Sequence, residues 1–110
     1  MSQLDLLPKR LKDVSISQRE IVLPMAEALE AIDLLESRGM QILGWEGWVK
    51  DIQGHVGHGS APQGTGSLQE LSVQEAANLC RATIPAHATQ WAHDNPGSTD
   101  ALHFCITVRA

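Results

Sequence analysis

Residues 24–50 read PMAEALEAIDLLESRGMQILGWEGWVK and place a helix directly before a strand. Apolar residues recur at helical spacing in the first part of this stretch, at Met25, Ala28, Leu29, Ile32 and Leu35. Pro24 suits the first position of a helix, and Gly39 suits the left-handed residue that often follows one. The second part, residues 40–50, is rich in aliphatic and aromatic residues and too short for another helix. We therefore expect a strand there, followed by a turn at residues 51–54.

The chain after this turn is predicted to form a loop and then a second helix. Residues 54–67 hold five glycines and one proline, which favours a brief return strand and then a loop. Ser72 and Glu75 have the spacing of a capping box, in which each side chain accepts a hydrogen bond from the other residue's free amide. A helix is therefore expected to begin at this point and to end at residues 94–99, DNPGST.

Two features mark the rest of the second half. Pro85 removes an amide donor within the helix and crowds the carbonyl four residues earlier, so a kink or a break is predicted near Ile84. Apolar residues then alternate with other residues over 101–108. This period of two predicts a strand with one face in the core.

Together these elements predict one α+β domain over residues 1–110, because a chain of this size supports one hydrophobic core. The core is expected in residues 21–108. Residues 1–20 are of uncertain structure: a short helix broken at Pro8 is one assignment, and Ser17 with Glu20 has the spacing of another capping box. The element order α-β-β-α-β predicts a small three- to four-stranded antiparallel or mixed sheet packed against two main helices.

Composition and charge argue against several classes of function. Eight Lys and Arg against thirteen Asp and Glu give a formal net charge of −5, which repels nucleic-acid phosphates and anionic lipid head groups. No apolar run approaches the roughly 18 residues needed to cross a bilayer, and the N-terminus lacks the basic and apolar blocks of an export signal. We expect a cytoplasmic protein that binds neither nucleic acid nor membrane, with Cys80 and Cys105 as reduced core thiols.

His55 and His58 form an HxxH pair, the first pattern that suggests chemistry. Zinc usually takes three or four ligands, and these histidines lie in a glycine-rich loop instead of on consecutive helical turns. The glycines complete no phosphate-binding motif, and Ser60 does not lie in a GxSxG turn. We therefore expect no catalytic residue, metal or cofactor. A small metal-dependent or hydrolytic enzyme that uses His55 and His58 is the alternative.

Trp45 and Trp48 are candidates for binding another protein. Residues three apart on a strand point to opposite faces, so one tryptophan can fill the core while the other meets solvent or a partner. The alternative is that both tryptophans are covered, one by the helices and the other by the 54–67 loop. Glu46 is then the accessible charge between them.

The first helix offers a second candidate surface. Its acids recur every three residues, at Glu27, Glu30, Asp33 and Glu36, and residues 20–36 contain no lysine or arginine. Like charges at this spacing disfavour a helix slightly. Such a face is either simply solvated or attracts an electropositive partner.

Five segments together resemble a group of bacterial immunity proteins, and in particular the immunity protein 40 family. The segments are ILGWEGWVK, a GxxGHGS loop, QGTGSL, a capped helix with LCRATI, and the closing HFCITV. The similarity covers residues 21–108. Proteins of this kind are small antidotes encoded beside polymorphic or contact-dependent toxins.

The resemblance implies a cytoplasmic α+β protein that binds the toxin domain of its own strain and blocks the active site or the access of substrate. Many such toxins are nucleases with basic channels, for which an acidic helix imitates phosphate. The candidate contact residues are Glu27, Glu30, Asp33 and Glu36 on the helix and Trp45, Glu46, Trp48, His55 and His58 on the hairpin. A homodimer joined through a sheet edge is a further alternative, compatible with toxin binding.

Overall fold

The computed structural model describes residues 2–109, which form a four-stranded sheet with helices on one side. The strands lie in the order β1-β4-β2-β3, and every neighbouring pair is antiparallel. After a 3-10 helix at Gln3–Leu6, the elements are α1 (Lys9–Lys12), β1 (Ile21–Leu23), α2 (Met25–Ser37), β2 (Ile42–Lys50), β3 (Val56–Gly57), α3 (Val73–Asp94) and β4 (Ala101–Val108).

The predicted α+β class is confirmed, and of the two sheet types left open the structure has the antiparallel one. The two main helices, the long strand β2, the brief β3 and the last strand all lie where the sequence patterns placed them. Strand β1 was not predicted. Its three residues are all buried, so they show no alternation that could mark a strand.

The face of the sheet that packs against α2 and α3, the inner face, carries most of the core. Antiparallel pairing sets Trp45 opposite Ile106 and Gly47 opposite Phe104 on this face. The largest apolar side chains of the sheet and helices meet in one cluster, which includes Ile32, Leu35, Ile42, Trp45, Ile84, Phe104 and Ile106. Cys80 of α3 belongs to the same cluster and is a free thiol, as is Cys105 on the opposite face, and both are buried as predicted.

The core extends further toward the N-terminus than residues 21–108. Leu4, Leu7 and Leu11 are buried in the main cluster, and the break between the 3-10 helix and α1 falls at Pro8, as predicted. Glu20 donates its backbone N–H to Ser17 Oγ at 3.0 Å, but residues 16–20 form bends and not a helix. The capping-box spacing at Ser17 therefore marks a turn before β1.

Local sequence signals explain where the main helices begin and end. Helix α2 starts directly after Pro24 and ends in a left-handed Gly39 with φ +70°. The N–H groups of Gly39 and Met40 donate to the carbonyls of Glu36 and Leu35, the pairing of a Schellman motif.

Helix α3 begins with the predicted capping box. Ser72 Oγ accepts the Glu75 N–H at 3.0 Å, and Glu75 Oε1 accepts the Ser72 N–H at 3.0 Å. The hydrogen bond from Ser72 lowers the pKa of the Glu75 carboxyl. The helix ends at Asp94, inside the predicted terminating segment.

Of the kink or break predicted near Ile84, the break does not occur, because α3 continues as one helix from Val73 to Asp94. Proline leaves the carbonyl four residues earlier, that of Arg81, without its helical donor. Tertiary contacts hold both sides: Ile84 is fully buried before the proline, and after it the Trp91 indole donates to Ser60 Oγ at 3.0 Å. These long-range contacts outweigh one missing backbone hydrogen bond.

Candidate functional site on the outer face of the sheet

The GWEGW segment divides its side chains between the two faces of the sheet. Trp45 and Gly47 point to the inner face, whereas Gly44, Glu46 and Trp48 point to the opposite, outer face. Trp45 is 2% exposed, and Trp48 is half-buried. The predicted separation of the two tryptophans is thus present, and no helix lies over Glu46, which is exposed.

Trp45 connects the sheet to α3 by packing and by a hydrogen bond. Its indole N–H donates to Thr83 Oγ1 at 2.9 Å, and its ring meets His87 and Phe104 edge to face, with ring centroids 5.3 Å apart in both pairs. A tryptophan held this way supplies core packing and satisfies its own polar group. Trp45 therefore supports the site from beneath and offers little surface to a partner.

Trp48 and its neighbours form the accessible part of the outer face. The Trp48 indole N–H donates to Glu46 Oε1 at 3.2 Å, which orients the carboxylate. The His58 ring meets Trp48 edge to face at 5.5 Å, so the loop covers one side of the tryptophan. His103, the partner of Trp48 on β4, is buried. The result is a carboxylate beside a half-buried aromatic ring.

The segment after β3 runs along the edge of β2 and forms one wall of the site. Gly47 N–H donates to the Pro62 carbonyl at 2.9 Å, and Thr65 N–H donates to the Trp45 carbonyl at 3.0 Å. Thr65 Oγ1 in turn accepts the Trp45 N–H at 3.2 Å. The segment 61–68 therefore completes the backbone hydrogen bonds of β2 without becoming a regular strand.

Two adjoining depressions lie between the outer side of β2 and this segment, and both are lined by Glu46 and Gln63. We name them together the β2 groove. The larger, about 370 Å³, is also lined by Gly44, Thr65 and Thr107; the smaller, about 260 Å³, reaches His58. Gly44 has no side chain, which lets the Thr65 hydroxyl and the Gly66 carbonyl approach the strand closely at this point.

The acids of α2 are largely paired within the chain. Arg10 of α1 forms an ion pair with Glu30, and the Arg81 guanidinium of α3 reaches Asp33 at 2.7 Å and Glu36 at 2.8 Å. A hydrogen bond from Arg10 lowers the pKa of Glu30. The acids of α2 therefore find their positively charged partners on α1 and α3, since α2 itself has no lysine or arginine.

Glu27, the fourth acid, lies in the first turn of α2 and is half-buried. It takes part in no ion pair among residues 2–109. Of the four acids predicted to form the acidic face of the helix, Glu27 is therefore the one without an ion pair among the described residues.

The two histidines of the HxxH pair have different partners. His55 Nδ1 lies 3.2 Å from Asp51 Oδ2, and His58 Nδ1 lies 3.3 Å from the Gly47 carbonyl. The backbone N–H of His55 lowers the pKa of the Asp51 carboxyl. Within residues 2–109, no three His, Cys, Asp or Glu side chains lie together as a set of metal ligands.

The thiols are shielded from solvent. Burial raises the pKa of Cys80 to about 11, and burial together with the neighbouring carboxylates of Glu20 and Glu46 raises the pKa of Cys105 to about 12. At neutral pH both cysteines are therefore protonated and poor nucleophiles.

The β2 groove brings together residues that the sequence patterns did not group. Of its lining residues, Glu46 and His58 were candidates, but Gln63 and Thr65 were not. Their only signal in the sequence was the glycine-rich composition around them, which predicts a loop and not its path. Residues 63 and 65 reach Glu46 only because the loop folds back along β2.

Comparison with models of known protein families, with curated proteins and with solved structures gives no match for this chain. The resemblance to immunity proteins therefore stays a prediction that depends on the segments quoted above. No helix among residues 2–109 is long and apolar enough to cross a membrane.

Proposed function

We propose that this chain is a binding protein that neutralises a bacterial toxin domain in the cytoplasm by blocking its active site. Support comes from the formal charge of −5, from the resemblance to immunity proteins, and from the outer sheet face, on which Glu46 is exposed. A protein of this charge attracts an electropositive partner at long range and speeds the encounter.

The observation that carries the proposal is the pairing of Glu46 with Trp48. The carboxylate is exposed, oriented by the indole N–H, and outside every ion pair found among residues 2–109. Tryptophan is enriched among residues that dominate binding energy in protein interfaces. Because its carboxylate is already oriented beside Trp48, the Glu46 side chain needs little rearrangement to bind a partner.

Of the two candidate surfaces, the outer face is favoured over α2. Arg10 and Arg81 already pair with three of the four acids of that helix, so a toxin would have to displace an internal arginine or meet a paired carboxylate. A toxin can bind the Glu46 carboxylate without first breaking an ion pair.

The proposal is tested with the full chain and the toxin domain encoded immediately upstream of its gene. We expect a complex at low salt, loss of toxin activity in that complex, and weaker binding as the Debye length falls from about 10 Å at 0.1 M to about 3 Å at 1 M salt. Calorimetry and a toxicity assay measure these effects. No complex at low salt, or protection by unrelated immunity proteins alone, would contradict the proposal.

A pair of variants tests the surface. Trp48→Ala should weaken the complex by about tenfold or more, whereas Glu27→Gln on α2 should change affinity less than about twofold. Circular dichroism of both variants checks that they remain folded. The reverse ranking would move the contact to α2 and leave the function in place. Substrate turnover by the isolated chain, lost on replacement of His55 or His58, would instead support the enzyme alternative.

A further inference from the structure

We infer that the β2 groove receives a single arginine or lysine side chain of the partner, with Glu46 as its counter-ion. The inference rests on the proposed function for the origin of that side chain. It goes beyond that function because it names the chemical group that is recognised and the residues that recognise it.

The charge in the groove is unbalanced. Among the described residues, its lining contains one carboxylate, Glu46, and no lysine or arginine. A carboxylate has about four lone-pair positions, and the Trp48 indole occupies one of them on Oε1. Both lone-pair positions of Oε2 and the second position of Oε1 remain available for a cation.

The neutral lining also suits a cationic side chain. Oxygen acceptors from Gln63, Thr65 and Thr107 surround the larger depression, and a guanidinium is a donor with five N–H groups and no acceptor. Ala61 and Pro62 line the smaller depression and offer an apolar surface on which a methylene stem can lie. Arginine fits this combination best, because its planar fork binds a carboxylate through two parallel hydrogen bonds.

The size of the groove limits the occupant. The larger depression, about 370 Å³, is close to the lower end of ordinary small-molecule sites, which start near 300 Å³, and the smaller, about 260 Å³, is below it. One extended side chain fits, whereas a helix or a hairpin of the partner does not enter. The partner's backbone is then expected to stay above the groove, near Trp48.

The first experiment needs no toxin. N-acetyl-arginine amide is titrated into the ¹⁵N-labelled chain, with N-acetyl-citrulline amide as a neutral probe of the same shape. We expect the arginine probe to shift the backbone amide signals of residues 44–47 and 65–67, and the citrulline probe to leave them unchanged. Equal shifts with both probes, or none with either at millimolar concentration, would overturn the inference.

Matched variants identify the counter-ion. Glu46→Gln should weaken probe binding at least about tenfold, because it keeps the shape of the side chain and removes its charge. Glu70→Gln is the control: Glu70 is exposed, forms no ion pair within residues 2–109 and lies outside the groove lining. It removes the same charge and should leave the titration unchanged. Equal effects of the two variants would contradict a specific site.

The same variants separate this inference from the proposed function. Toxin affinity that falls about tenfold in Glu46→Gln but not in Glu70→Gln supports both. A complex that Glu46→Gln leaves intact overturns the groove assignment while the toxin-binding function stands. If the chain binds the arginine probe but no toxin, the groove is a site for a cationic side chain as inferred. The proposed toxin-binding function is then wrong.

Discussion

Three glycines decide how closely the loop approaches β2. Gly64 has φ +85°, and a Cβ placed there would lie 1.9 Å from the Trp45 carbonyl oxygen. A Cβ at Gly47 would lie 2.6 Å from the Pro62 carbonyl oxygen, and one at Gly44 would lie 2.8 Å from Thr65 Oγ1. Each of these close contacts is with a backbone atom or with a side chain that is itself hydrogen-bonded. None of these atoms can therefore move away without a loss of stability.

At this scale the prediction concerns Gly64. Gly64→Ala should lower the free energy of unfolding by about 2 kcal/mol or more, because both the clash with Trp45 and the left-handed backbone oppose a side chain. Gly66→Ala, two residues away, meets nothing within 4 Å and should stay within about 0.5 kcal/mol of the parent. Urea unfolding followed by tryptophan fluorescence measures both. Equal losses would show that the loop does not lie against β2.

The same residues show how far local patterns reach. The strand period was sufficient to place Trp45 and Trp48 on opposite faces, since that alternation depends only on backbone geometry. It gave no information on Arg81, whose partners Asp33 and Glu36 lie on another helix, more than forty residues earlier in the chain. A charge pair of that kind depends on how two helices pack.

Among the elements, α3 departs most clearly from its sequence pattern. The helix passes through Pro85 because buried residues before it and the Trp91–Ser60 hydrogen bond after it hold both halves in place. Propensity alone predicts a break, since proline in a helix interior costs about 3 kcal/mol. The contacts of α3 with the core and with the loop at Ser60 oppose that break.

Pro85→Ala therefore tests whether the proline simply destabilises α3 or is required for its geometry. Alanine restores a donor for the Arg81 carbonyl, so the free energy of unfolding should rise by about 1–3 kcal/mol. Pro96→Ala, in the exposed turn after the helix, should instead lower it by up to about 1 kcal/mol, because the unfolded chain gains freedom. Thermal melts of both variants measure the difference. A loss of stability in Pro85→Ala would mean that the helix geometry at this point requires proline.

At the scale of the whole molecule, little of the sheet edge is open to pair with another chain, because β3, the outermost strand on one side, is only two residues long. On β1, the outward-facing N–H and carbonyl of Val22 bond to Ser15 Oγ at 3.1 Å and Ile16 N–H at 3.0 Å. On the other side, β3 and the segment 61–68 occupy the edge of β2. Unpaired edge groups are what allow two sheets to join.

The alternative of a dimer formed through a sheet edge is therefore disfavoured, and we expect a monomer of 11.9 kDa in solution. Light scattering over a hundredfold range of concentration measures the mass. A stable mass of twice that value would require a different contact surface, with the outer face as the first to examine by Trp48→Ala.

Local sequence patterns were sufficient for the α+β class, the positions of α2, α3, β2 and β4, the Gly39 end of α2 and the capping box of α3. These features follow from periodicity and from hydrogen bonds between residues a few positions apart. Tertiary structure alone decided the strand order, the short β1, the continuity of α3 and the grouping of Glu46 with Gln63 and Thr65. The reason is that each of these depends on contacts between segments distant in the chain, whose energies exceed local preferences only once the segments have packed together.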